Sequence, residues 1–316
     1  MDFKLRKILL PSTDSASAAV TELWRECFGQ EEVDGTRAQF AGKESDFNVD
    51  TLYVLECEGS LGACCHITRC KGTGLAMLGG VATSPSFRGK GFGRAVCEFA
   101  LSDFDSSGGE ALWLATENPV AAELYESVGF HYQAGAHVMA RLRNGLSAMD
   151  VQKRLFTGGE CSVQKASPFM RVPMIPLISG RNPLVVLDAN VGLCGTRHMA
   201  LTSCTGLYPR YLRVRENGGE CMFLRDVATG AVVGLATVAT MADGTLQADA
   251  FWRLEYASKA PSLLQSLSSC FPNRRLFFPV ADDVKAQVLS NLGAVEKGTR
   301  MVPFGRFFIE MRIFVV

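Results

Sequence analysis

The chain has 316 residues, 47 % of them apolar, which is enough to bury two cores rather than one. Lysine plus arginine equals aspartate plus glutamate at 32 each, so there is no global field of the kind that draws a protein onto nucleic acid or an anionic membrane. No apolar run approaches the ~20 residues of a membrane helix, and eleven cysteines without a CxxC pair read as reduced thiols of a cytosolic protein.

In chain order, the apolar run Ile8-Leu9-Leu10 stops at Pro11. It is too short for a secretory h-region and is expected to be a strand. A first helix is followed by an acidic stretch at 29–50, where Glu31, Glu32 and Asp34 are expected on a solvated loop able to attract a cationic amine. From Thr51, the segments TLYVLEC, GSLGACCHITRC and GLAMLGGVAT, separated by glycine-containing turns, predict an antiparallel meander. Cys64, Cys65, His66 and Cys70 are the densest group of metal-ligand types. Neighbouring residues of a strand face opposite sides, however, so no metal site is expected there.

Phe92, Ala95, Val96, Phe99, Ala100 and Phe104 recur at helical spacing after Gly91. ALWLAT (111–116) reads as a buried strand. Asn118 then caps a second helix with Pro119 in its first turn, and Gly129 stops it.

The stretch 146–180, rich in Gly, Ser and Pro, is the expected linker, and beyond it the same order of elements recurs. A gapless offset of 164 sets Leu112 on Leu276, Val120 on Val284, Ala122 on Ala286, Gly129 on Gly293 and Val138 on Val302, which points to a tandem duplication. The same offset sets Trp252 opposite Arg88, puts Arg253, Glu255 and Ala257 opposite Gly89, Gly91 and Gly93, and Leu289 opposite Tyr125. The second half therefore reads as having kept the core spacing and lost the loop.

That loop, SFRGKGFGRA (86–95), carries the chemistry. A Walker loop needs glycine where Ser84 stands and Ser or Thr where Gly91 stands, and a Rossmann fingerprint needs a small residue where Arg94 stands. Arg-x-x-Gly-x-Gly between a strand and a helix remains. Its glycines free the backbone, and its N–H groups collect at a helix N-terminus, where the macrodipole favours a phosphate.

In the frame GGVATSPSFRGKGFGRA, this stretch resembles motif A of the GCN5-related N-acetyltransferases, and ENPVAAELYESVGF (117–130) resembles their motif B. The resemblance implies an α/β fold of two such domains, each a mixed, mostly antiparallel twisted sheet flanked by helices. It implies an acetyl-CoA-binding domain over 1–145 and a degenerate domain without phosphate loop over 181–316. Acetyl-CoA would be held by Val81, Ala82 and Thr83 at the strand end, by Arg88, Gly89, Lys90, Gly91, Phe92, Gly93 and Arg94 in the loop, and by Asn118. Tyr125 would donate its proton to the leaving thiolate.

The implied activity is transfer of acetyl to a primary amine of a small molecule, peptide or protein by direct attack in a ternary complex, without a metal. The alternative of another class is a non-catalytic acyl-CoA sensor or regulatory scaffold. Glu117, His66 and His131 are candidates for the general base, and none is singled out.

Overall fold

The computed structural model describes residues 2–133, 137–195, 206–304 and 307–316. The chain divides into two compact units, one from Met1 to Gln133 and His137 to Val151, the other essentially from Gln152 onward. Each is built on its own seven-stranded sheet. No described helix is long and apolar enough to cross a membrane.

The first unit runs β1 (Phe3–Leu9), α1 (Ser15–Phe28), α2 (Gln30–Phe40), β2 (Asn48–Cys57), β3 (Ser60–Cys70), β4 (Leu75–Thr83), α3 (Phe92–Ser106), β5 (Ala111–Ala115), α4 (Pro119–Ser127), β6 (His131–Tyr132) and β7 (Val138–Leu142). The expected meander is present as β2, β3 and β4, paired antiparallel in sequence. The sheet order is β1-β2-β3-β4-β5-β7-β6, and β4–β5 is its one parallel pair.

Alternation along β3 splits its cysteines between two cores. Cys65 joins Val96, Ala100 and Phe104 of α3 on one face, whereas Cys64 joins Val20, Leu23 and Trp24 of α1 on the other. The ten described cysteines are free, and Cys204 lies outside the described residues.

Within the acidic stretch 29–50, where a loop was expected, Gln30–Phe40 form a helix, and turns over 41–47 lead into β2. The negative charge supports the helix, because Glu31 and Glu32 occupy the first turn, where the macrodipole favours carboxylates. Val33, Thr36 and Gln39, three residues apart, bury one face. Gln39 Nε2 donates to Asp50 Oδ1 at 2.6 Å and to Thr68 Oγ1 at 2.7 Å, tying α2 to β2 and β3.

After α5 (Ala148–Leu155), the second unit continues with β8 (Cys161–Lys165), α6 (Ile175–Ser179), β9 (Val186–Asp188), β10 (Leu193–Cys194) and α7 (Leu207–Glu216). It ends with β11 (Glu220–Asp226), β12 (Val232–Thr240), β13 (Leu246–Trp252), α8 (Ala260–Ser269), β14 (Leu276–Val280), α9 (Asp283–Asn291), β15 (Val295–Phe304) and β16 (Phe307–Val315). The stretch 146–180, expected as a linker, supplies β8 as an edge strand of the second sheet. Its segment Phe169–Ser179 is buried almost throughout.

Read from β8, the second sheet runs β8-β11-β12-β13-β14-β16-β15, the order of the first sheet, and its one parallel pair, β13–β14, falls at the same place. The repeat is therefore one of topology. The offset of 164 is met by α4 and α9 but drifts elsewhere, since α3 and α8 begin 168 residues apart and α3 is 15 residues long against 10 for α8. Val302, aligned with Val138 by the fixed offset, lies in β15, the counterpart of β6, whereas Val138 lies in β7, the counterpart of β16.

Candidate active site

A break in the first sheet opens the cleft. β4 and β5 pair only over Leu75–Ala111, Ala76–Leu112 and Met77–Trp113, and the pairing ends there. Against β3, Cys64 faces Ala82 and His66 faces Gly79, so Gly80 and Val81 together stand opposite Cys65. This is a β-bulge with a left-handed glycine, Gly80 at φ 58°, and a bulge leaves a backbone group outside the ladder while turning the strand. The splayed strands leave room between β4 and α4.

The glycine loop lies just beyond. Gly89 (φ 73°) and Gly91 (φ 79°) adopt left-handed conformations, and a Cβ on either would meet open space. Backbone angle, not crowding, demands glycine at these two positions. At Gly93 the reason differs, because a Cβ there would sit 3.1 Å from Thr83 Oγ1.

Gly91 is the N-cap of α3 and offers no side chain, so the first-turn N–H groups at Phe92, Gly93 and Arg94 have neither an intrahelical acceptor nor a capping oxygen. They open on a groove of about 510 Å³. The three cations of the loop are held in different ways. Arg88 Nε donates back to Thr83 O at 3.2 Å, bracing the loop, while Lys90 stacks over the Phe87 ring and Arg94 pairs loosely with Glu98.

Asn118 caps α4, its Oδ1 accepting from Val120 N at 3.0 Å and Ala121 N at 3.4 Å. Tyr125, on the same helix, is 8 % exposed and packs edge-on against Phe130. Burial, with Cys97 and Cys65 adding to it, pushes its phenol well above the ordinary range, so the hydroxyl keeps its proton at any physiological pH.

Val81, Asn118, Ala121 and Tyr125 line the groove and also a second cavity of about 250 Å³, whose other walls include Phe28, Glu32, Gly79, Gly80 and Thr116. Two openings thus meet at Tyr125. Of the expected loop residues, Val81, Thr83, Arg88, Gly89, Gly91, Phe92, Gly93 and Arg94 line the groove, whereas Ala82 faces the core behind β4 and Lys90 is not part of the wall.

The base candidates are not brought to this junction. His66 is buried, its Nε2 3.0 Å from Asp50 Oδ1. Burial raises the Asp50 carboxyl, but His66 and the hydroxyl and amide of Thr68 and Gln39 outweigh it, and Asp50 stays below its ordinary value. Glu117 and His131 are exposed and line neither cavity. Of the acidic trio on α2, Glu32 reaches the second cavity, while Asp34 pairs with Arg37. Glu32 is one of the acidic residues the sequence offered for a cationic amine, whereas Phe28 carried no signal in the sequence and is placed by the fold alone. Among the described residues, no three His, Cys, Asp or Glu side chains group as a metal site.

In the second unit the same place is closed. β13 pairs with β12 from Leu246 to Trp252 without a register shift and carries no glycine, so no bulge forms. The connection from β13 to α8 is Arg253–Lys259 rather than the Trp252–Ala257 stretch given by the fixed offset. It too lacks glycine, and its Tyr256 hydroxyl donates to Asp226 Oδ2 at 2.6 Å within the core. Between β13 and α9, Lys285 Nζ donates to Asp249 Oδ1 at 2.7 Å and to Leu187 O at 2.9 Å. The space left there is about 10 Å³, the size of one water.

Comparisons with known proteins found the following. The model of the acetyltransferase (GNAT) family matches residues 17–130. A GNAT-family acetyltransferase of Brucella melitensis, solved with acetyl-CoA, is 17 % identical over 46 % of this chain and 91 % of its own, with a TM-score of 0.35. A phosphinothricin acetyltransferase of Sinorhizobium meliloti, solved with the same compound, is 14 % identical over 49 % of this chain and 87 % of its own, at 0.38. A GCN5-related N-acetyltransferase of Kribbella flavida spans 99 % of this chain and 71 % of its own, at 15 % identity and 0.41. No curated protein matches the chain.

Proposed function

We propose, from the premise that residues 17–130 are a domain of the acetyltransferase (GNAT) family, that the first unit transfers acetyl from acetyl-CoA to a primary amine. The observation that carries this reading is the junction at Tyr125 of two cavities, one leading to the uncapped N-terminus of α3, the other to Phe28 and Glu32.

The groove fits acetyl-CoA on three counts. The first-turn N–H groups of α3 and the left-handed glycines present donors and open space to a diphosphate. Arg94 supplies positive charge at the rim, and the gap between β4 and β5 admits an extended arm. Bound acetyl-CoA supplies an activated thioester carbonyl.

The chain does the rest. Bulge N–H groups near Val81 stabilise negative charge developing on a carbonyl oxygen. Tyr125 holds a proton on its hydroxyl where a thiolate would need one. Glu32 gives the second cavity a carboxylate that favours a cationic amine. The second unit has no bulge in β13, no glycine between β13 and α8 and a filled gap, so among its described residues it has no thioester site of this kind of its own.

Calorimetry with acetyl-CoA followed by a thiol-release assay over an amine panel tests the reading. Binding with release is expected. Binding without release for any amine would leave a sensor, and absence of binding would remove both readings.

A further inference from the structure

We propose that Trp24, which lines neither cavity, is a positioning residue: its indole N–H sets the direction of the Val81 N–H in the bulge, an inference that rests on the acetyl-transfer reading above. Trp24 Nε1 donates to the Gly80 carbonyl at 2.7 Å across the sheet from α1, and Cys64 Sγ adds a weak contact to the same oxygen at 3.8 Å.

A peptide unit is planar and trans, so its carbonyl and the following N–H point in opposite directions. Fixing the Gly80 oxygen toward the indole therefore turns the Val81 N–H to the far side, where Gly80, Val81 and Tyr125 border the junction. Glycine at φ 58° leaves that peptide soft, and it lies in the bulge where the register shifts, so the indole bond from outside the strand fixes its orientation.

The indole is itself immobilised. Trp24 is 1 % exposed, meets Phe40 edge-on with centroids 5.6 Å apart and lies 5.9 Å from the His66 ring. A Cβ on Gly80 would run into its six-membered ring, so bulge and indole are fitted to each other. An oxyanion donor works only when it is aimed in advance, and misplacement by about 1 Å costs on the order of 100-fold in rate. The second unit lacks the bulge, so it has no peptide for such a donor to aim.

Trp24→Phe deletes the donor and keeps an aromatic ring, whereas Phe40→Leu loosens the indole's packing and leaves the donor. With saturating acetyl-CoA and the best amine of the panel, Trp24→Phe is expected to lose kcat by about 10- to 100-fold. Its calorimetric Kd for acetyl-CoA should stay within about two-fold of wild type, because Trp24 lines neither cavity. Phe40→Leu should keep kcat within about three-fold at a similar loss of Tm. A Trp24→Phe kcat near wild type, or an equal loss in Phe40→Leu, would overturn the proposal.

The wild-type protein provides a measurement independent of how any variant folds. The Val81 amide and Trp24 indole proton resonances should both move when acetyl-CoA replaces CoA, and a Val81 resonance indifferent to the acetyl group would also overturn it. Wild-type protein that neither binds nor turns over acetyl-CoA fails the acetyl-transfer reading itself and takes the proposal with it.

Discussion

Lys285 of α9 and Asp249 of β13 form an ion pair at 2.7 Å, with side chains only 4 % and 2 % exposed, in the place where the first unit has an open cleft. Ala189 N also donates to Asp249, at 2.7 Å, so the carboxylate is held from two sides. Lys285→Met would strand that carboxylate without its cation, and such a loss costs about 3–5 kcal/mol. A urea titration should show this directly. Asp249→Leu combined with Lys285→Met should recover part of the loss, since both charges then leave the core together. A single variant as stable as wild type would mean the pair contributes nothing.

Asp188 lies next to that pair and titrates in an unusual range. Burial, reinforced by repulsion from Asp249, pushes its carboxyl up to about 7 against the opposing hydrogen bonds from Thr237 and Asn190. A carboxyl of an unfolded chain titrates near ~3.9, so between these values the folded state binds more protons than the unfolded one. The contribution of Asp188 to stability is thus present at low pH and lost as pH rises toward 7. The stability of Asp188→Asn relative to wild type is expected to improve from pH 5 to about pH 7 and to level off above that, and parallel urea midpoints between pH 5 and 7 would contradict this.

Tyr125→Phe keeps the ring against Phe130 and removes only the hydroxyl. A general acid contributes about 100-fold or more, so kcat should fall by at least about ten-fold while the Kd for acetyl-CoA stays within a factor of about two. Because the phenol is held well above its ordinary range, it does not deprotonate in the assay range, and the alkaline limb of the rate profile should have the same midpoint in variant and wild type. Unchanged turnover would remove Tyr125 from the chemistry.

Gly91→Glu places a β-carbon on a φ of 79° and a carboxylate at the rim of the groove. Left-handed backbone costs roughly 1–2 kcal/mol in a residue with a Cβ, and the carboxylate repels the diphosphate in addition. Calorimetry should detect no heat with acetyl-CoA. Gly91→Ala, with the strain alone, should weaken binding by about ten-fold, and wild-type affinity in the glutamate variant would displace the diphosphate from this loop.

What the sequence settled by itself is what neighbouring residues settle. Asn118, Pro119 and Gly129 bracket α4 because caps and stops are bonds within a few residues, and the glycine loop was legible because its backbone angles admit little else. The alternation in β2, β3 and β4 likewise placed Cys64 and Cys65 on different faces before any partner was known. Tertiary structure decided the rest. Residues 30–40 read as part of a solvated loop because the partners of their buried face, Asp50 and Thr68, belong to strands that pack on it only in the fold.

His66 lies against Asp50, 16 residues away, and lines neither cavity, and the second unit's gap is filled by a lysine and an aspartate 36 residues apart. A fixed offset could not follow the repeat, because helix lengths differ between the halves while strand order does not. Local bonds are written in consecutive residues. Burial and charge pairing depend on which distant segments the sheet brings together.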